Sequence, residues 1–167
     1  QEQLGDVFSG MIGNGIGIFS VSADGANRRV FGSYVTGNYF DFLGVEPVLG
    51  RGFLPEEDAT EGTHPVIVLA YSAWQRDFGG AADVVGRTML INGREMRIVG
   101  VAPEGFTGHD TAMAFDFWVP LQMQPALSPT GSMLDRRGNH WIQSATARLR
   151  EGITPEQARQ AADAFYA

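Results

Sequence analysis

His64-Pro65-Val66-Ile67-Val68-Leu69-Ala70 is an unbroken apolar run, the pattern of a strand buried on both faces. The period then changes to that of a helix: Ser72 with Gln75 forms a capping box, Trp74 and Phe78 fall four apart on one face, and Gly79-Gly80 ends the element. Trp74 is the anchor, because truncating a packed Trp costs about 3–5 kcal/mol against about 1 for the cap. Further on, Arg87 to Ile91 and Arg94 to Val99 flank Asn92-Gly93, a dipeptide suited to a type I′ turn with positive φ at both positions. A two-residue loop pairs Met89 with Met96 and predicts Met89, Ile91, Met96 and Ile98 as the buried set, with Glu95 and Arg97 outward.

Earlier in the chain, Ile16 to Ser22 and Arg28 to Val35 read as a hairpin about the turn cluster Ala23-Asp24-Gly25-Ala26-Asn27. The glycine-rich residues 10–17 before it read as a mobile lead-in. Residues 35–51 hold a short aromatic helix capped by Asn38, with Phe40 and Leu43 on one face and Gly44 at the left-handed C′ position. Pro55 suits the first position of a short helical turn whose Glu56, Glu57 and Asp58 favour the positive end of the helix dipole. Asp116 to Leu121 is a short strand closed by Pro120, and Gln124 to Asn139 a long polar loop. Trp141 to Leu149 reads as a strand with Ile142, Ala145, Ala147 and Leu149 available for burial. The last helix is capped by Thr154 with Pro155 at N1 and Gln157 at N3, and packs the stripe Ala158, Ala161, Ala162 and Phe165 on the sheet. The expected class is α+β, a mixed or antiparallel sheet with a few short helices.

Composition narrows the function. A chain of 167 residues suits one domain with a real core, and 22 glycines among dense apolar residues imply tight turns rather than disorder. All 12 basic residues are arginine, so a Schiff-base or P-loop lysine is excluded. The net charge of −7, without a cluster of arginines interleaved with aromatics, argues against nucleic acid. Absence of cysteine excludes disulfides and thiolate chemistry. No apolar run reaches membrane-spanning length and no signal peptide is present; a chain opening on Gln1 suggests a piece of a longer protein whose membrane segments lie outside both ends.

Candidate chemistry is sparse. Gly10 to Gly17 lacks the spacing and the lysine of a phosphate loop, and no hydrolase elbow, zinc helix, Walker A, EF-hand or dinucleotide fingerprint occurs. His109-Asp110 has the form of an oriented base but implies no nucleophile, and a polar turn explains it. Glu56, Glu57, Asp58 and Glu61 with His64 have ligand chemistry without the spacing of a metal loop. Arg136-Arg137 beside His140 suits either an acidic partner or a solvated loop, and Phe115, Phe117 and Trp118 either a ligand groove or the core. No residue is assigned as catalytic, cofactor-binding or metal-ligating, and no cofactor is expected.

Four segments, in order, resemble one family. They are residues 35–51, the stretch from Val35-Thr36-Gly37-Asn38-Tyr39-Phe40 to Gly50-Arg51; residues 68–80, Val68 to Gly80 through Trp74; residues 85–106, with Val85-Gly86-Arg87, Ile91-Asn92-Gly93 and Val101-Ala102-Pro103-Glu104-Gly105-Phe106; and residues 147–158, with Gly152-Ile153-Thr154-Pro155-Glu156-Gln157. Each is mostly turn and packing residues, so specificity comes from their colinearity. The family is the periplasmic core domain of MacB-type and FtsX-like ABC transporter permeases.

The resemblance implies a non-catalytic domain on the periplasmic or extracellular face of the bacterial cytoplasmic membrane, between the first transmembrane helix and the later ones, with the ATPase cytoplasmic. Its partners are the rest of the permease, that ATPase, and a periplasmic adaptor protein or exported substrate. Its fold is a porter-like α/β part, here residues 28–53 with 141–167, holding an inserted β-rich subdomain, residues 54–140. The family domain continues past the Thr154 helix with further strands, where this chain stops. Rival readings are a small metal-dependent hydrolase using His109, Asp110 or the Glu56 to His64 group, and a ligand-binding sensor with a groove at Phe115 to Trp118.

Overall fold

A computed structural model describes residues 5–23, 26–109, 113–134 and 143–166. Its strands are β1 (Phe8–Ala23), β2 (Ala26–Val35), β3 (Leu49–Gly50), β4 (Val66–Leu69), β5 (Thr88–Ile91), β6 (Arg94–Val101), β7 (Phe117–Pro120) and β8 (Ser144–Leu149). The helices are α1 (Tyr39–Leu43), α2 (Tyr71–Phe78), α3 (Gln124–Leu127) and α4 (Pro155–Tyr166), with 3-10 turns at Pro55–Asp58 and Leu121–Met123. This mixed sheet with few short helices is an α+β fold, as expected.

The sheet closes on itself. β1 pairs with β2, β2 with β7, β7 with β4, β4 with β6, β6 with β5, and β5 returns to β1 through Val21↔Ile91 and Ser22↔Leu90. The β2–β7 and β4–β6 ladders are parallel and the others antiparallel. Six strands therefore form a ring, which removes their free edges. One apolar cluster draws on all six, including Phe19, Tyr34, Ile67, Met89, Ile98 and Phe117, while Met123 and Leu127 join it from the segment after β7. A second cluster packs the other face of the wall around Tyr39, Phe40, Val68 and Trp118. The doubly buried β4 follows from this: Ile67 and Leu69 belong to the first cluster, Val66 and Val68 to the second.

The glycine-rich lead-in is a strand, which corrects the sequence reading. β1 runs 16 residues, pairing with β8 from Phe8↔Leu149 to Asn14↔Ser144 and with β2 from Asn14↔Val35 onward. Paired on one side or the other along its length, this backbone has ladder partners that a mobile segment lacks. Its glycines make room for rings: a Cβ on Gly17 would lie 2.5 Å from the Phe19 ring, and one on the opposite Gly32 2.8 Å from that of Phe117.

The Asn92-Gly93 hairpin has the expected register, Met89↔Met96, with Asn92 at φ 50° and Gly93 at φ 76° and the predicted four residues buried. Gly44 and Gly79 end their helices in the left-handed conformation. Two predicted caps do not form. Asn38 makes no cap bond; its Nδ2 donates instead to Met11 O at 3.0 Å, stapling α1 to β1. Ser72 lies inside α2, whose N-cap is Ala70, because the chain passes straight from β4 into the helix while Ala70 N–H donates to Asp116 O. Trp74 does anchor α2: it packs on the ring interior and its Nε1 donates to Ala81 O at 3.0 Å.

The start of the predicted polar loop Gln124 to Asn139 is helical instead, forming α3 after the 3-10 turn, and the buried Gln124 holds the segment by donating to Gly131 O and accepting the Met133 N–H. β8 is less buried than expected, with Ala145 exposed and Ala147 and Leu149 half-buried, since among the described residues it pairs only with β1. Trp141 and Ile142 lie outside the described residues, as does the side chain of Phe165. The Thr154 capping box forms with both bonds, Thr154 N–H to Gln157 Oε1 at 2.8 Å and Gln157 N–H to Thr154 Oγ1 at 3.3 Å. Ala158 is buried and Ala161 and Ala162 are half-buried.

Candidate functional site

His109 does find a hydroxyl, one that sequence spacing did not disclose. Its Nε2 lies 3.1 Å from Ser144 Oγ, its Nδ1 3.0 Å from the Tyr39 hydroxyl, and its backbone N–H donates to that hydroxyl at 3.1 Å. Ser144 Oγ donates to Asn14 Oδ1 at 2.6 Å. Amide oxygens only accept, so the serine proton points at Asn14 and its oxygen receives Nε2–H, leaving Nδ1 to accept from Tyr39. In that order His109 donates to Ser144 and does not deprotonate it; the arrangement ties α1, the loop after β6, β8 and β1 together rather than activating a nucleophile. Asp110, its sequence neighbour, lies outside the described residues.

The acidic group separates into different tasks. Arg51 grips Glu57 with two bonds, Nη1 to Oε2 at 2.9 Å and Nη2 to Oε1 at 2.8 Å, and Leu54 N–H donates to Oε2 as well. Burial pushes the Glu57 carboxyl up, but Arg51 and the Leu54 amide outweigh it and hold the group below its ordinary value. Asp58 accepts Gly37 N–H at 2.8 Å through one oxygen and Gln122 N–H at 3.0 Å through the other; there burial prevails over the backbone bonds and raises the pKa. Glu56 and Glu61 are exposed, and His64 Nδ1 is 2.8 Å from Thr63 Oγ1. Among the described residues, no three Asp, Glu or His side chains converge as metal ligands.

A charged clamp was invisible in the sequence. Asp77 on α2, nearly buried, is held by Arg28 from β2 and by its neighbour Arg76, and both arginines reach Asp116 beside β7, at 3.2 and 2.6 Å. Burial raises the Asp77 pKa, yet the two guanidiniums bring it below its ordinary value. Forty-nine residues separate Arg28 from Asp77, a distance no local pattern spans.

Phe115, Phe117 and Trp118 are core rather than groove. Phe117 stands 5.0 Å from Phe19 inside the ring, and Trp118 packs outside it against Phe106 and Phe40 at 5.1 and 5.7 Å. Phe115 alone edges a half-open cleft of about 240 Å³ shared with Tyr71 and Phe106. Arg136, Arg137 and His140 lie outside the described residues. Among the described residues, three larger half-open hollows lie elsewhere: about 630 Å³ bordered by Asp77, Arg87 and Glu95, about 450 Å³ bordered by Arg51, Glu57 and Arg97, and about 350 Å³ bordered by Ile18, Arg29 and Leu127. What the geometry offers is a braced body with shallow surface clefts.

Residues 6–165 match the profile of the MacB-like periplasmic core domain. The macrolide export ATP-binding/permease protein MacB of Escherichia coli K12 is 29% identical over 126 residues, which is 75% of this chain but only 18% of that protein. Among solved structures, the periplasmic region of MacB from Actinobacillus actinomycetemcomitans superposes with a TM-score of 0.73 at 17% identity, covering 96% of this chain and 66% of that one. The extracellular domain of the ABC-type transporter YknZ from Gram-positive bacteria gives 0.67 at 13% identity, over 96% and 76%. A domain of a putative permease from Porphyromonas gingivalis gives 0.63 at 19% identity, over 92% and 61%.

Proposed function

This chain belongs to the MacB-like periplasmic core domain family, and we propose that it works as a non-catalytic coupling module, passing movement of a permease's membrane helices to a periplasmic partner or exported substrate. It is a periplasmic domain of an ABC transporter permease, at the periplasmic face of the cytoplasmic membrane. In this reading the membrane helices and a cytoplasmic ATPase are its partners in the intact protein, with an adaptor protein or the cargo as the outer contact.

The observation that carries the coupling role is β1. A strand of 16 residues spans about 50 Å, and this one is shared between the ring and the β1–β8 ribbon. Displacement of β8 reaches the ring along β1, which passes from pairing with β8 to pairing with β2 at Asn14, with a close-packed interior to resist deformation. As part of the same proposal, residues 28–53 with 141–167 form the porter-like part and 54–140 the insertion. β2 and β7 pair across that division, so under it the two parts move as one body.

The test is transport by the full permease after this domain is replaced with a short linker. The expected result is loss of transport with the protein still inserted in the membrane; unchanged transport overturns the proposal.

A further inference from the structure

The outer wall of the ring carries an apolar pair without cover. Ile18 and Phe31 face each other across the β1–β2 ladder and are 60% and 42% exposed. Lone exposed apolar residues are ordinary, but this pair adjoins a groove. The groove runs beside Ile18 and Ser20, with Leu127 to Pro129 as its other bank, and a hollow of about 180 Å³ extends it toward Ile16. One side chain braces both banks: Asn92 Oδ1 accepts the Ser20 N–H at 2.8 Å and Nδ2 donates to Leu127 O at 2.7 Å. Arg29, opposite Ser20 in the ladder, lines the same groove and is exposed. Arg28 beside it is held by Asp77 and Asp116, whereas among the described residues no carboxylate pairs with Arg29.

We propose that this groove docks an extended segment of a protein partner in which Asp or Glu alternates with apolar side chains, the carboxylate pairing with Arg29 and an apolar group covering Ile18 and Phe31. The groove is half-open, whereas a small-molecule site buries most of its ligand; an extended peptide needs only a rigid bank and alternate contacts. A second copy docked groove to groove fits poorly, because none of the residues lining the groove is acidic and Arg29 would find no carboxylate there. The net charge of −7 does not forbid an acidic segment, since salt screens charges beyond about 8–10 Å and leaves the local pairing to decide. The inference rests on the coupling role above and gives its partner a place to bind.

The test uses the full permease in nanodiscs and a short fluorescein-labelled peptide alternating aspartate with leucine, followed by fluorescence anisotropy. Saturable binding is expected, weakened about tenfold or more by Ile18→Ser, as for a residue at the centre of an interface. Arg29→Glu is expected to reverse the preference toward the same peptide with lysine for aspartate. Val48→Ser, at another exposed apolar position, is expected to leave binding unchanged. Equal binding of both peptides to the native permease overturns the inference, as does full binding retained by Ile18→Ser or self-association that depends on Ile18 in place of peptide binding. Domain replacement reads transport independently, so docking and coupling fail separately.

Discussion

His109 Nε2 stands 3.1 Å from Ser144 Oγ, joining the loop after β6 to the first residue of the edge strand β8. Each such bond contributes about 1 kcal/mol net, so His109→Ala, losing both ring contacts, is expected to cost about 2 kcal/mol. The loss should concentrate at the ribbon. Amide hydrogen exchange in β8 should accelerate more than in β4, which is covered on both faces; equal acceleration in both would show that His109 does not hold the edge.

The close approach of β3 to β6 permits no side chain. A Cβ on Gly50 would lie 2.1 Å from Val99 O, and one on Gly100 2.2 Å from Arg51 O. Gly44, by contrast, faces open space and carries only the cost of its positive φ. Gly44→Ala should cost about 1–2 kcal/mol. Gly100→Ala must displace backbone and should cost about 3 kcal/mol or more by urea denaturation.

Asn92 serves both the turn and the segment it pins. Its φ of 50° and its bonds to Ser20 and Leu127 are all compromised by alanine, so Asn92→Ala should lose about 2–3 kcal/mol. Asn92→Gly restores the turn but not the bonds. The urea-midpoint difference between the native chain and Asn92→Gly therefore isolates the bracing of α3, and identical midpoints for those two would remove that role; the further loss in Asn92→Ala reads the turn.

Acid should weaken the fold chiefly through Glu57 and Asp77. Both titrate below their ordinary values of 4.5 and 3.8, so each contributes stability above those values and loses it as pH falls through the lower folded pKa. Asp58 has the opposite sign: its raised pKa favours the protonated folded form, a contribution present below 3.8 and lost as pH rises through the folded value. Glu57→Gln is therefore expected to be less stable than the native chain at neutral pH and to show a shallower loss on acidification. Asp58→Asn is expected to make the loss steeper. Urea midpoints measured from neutral pH down to about pH 3 check both slopes.

Several elements were legible because their causes lie within a few residues. The β4 run reads as doubly buried from hydropathy alone, Asn92-Gly93 specifies its own turn and hence the Met89↔Met96 register, and Thr154 with Gln157 closes its box across three positions. The family resemblance also held, since its four segments fall in order within the matched residues 6–165. Where a cap depended on what lay before the helix, the reading failed: Ser72 has the right spacing to Gln75, but β4 enters α2 directly and places it inside.

The amino-acid order by itself determined the short-range grammar of this domain: where strands turn, where glycine stops a helix, and that no lysine or cysteine chemistry is available. Only the tertiary structure decided that Gly10 to Gly17 extends a strand, that six strands close into a ring, that Asp77 is clamped by Arg28, and that His109 meets Ser144 and Tyr39. The reason is physical. Those outcomes depend on partners 35 to 130 or more residues apart, as for His109 with Ser144 and Ser144 with Asn14, and no local period records which distant groups packing will bring together.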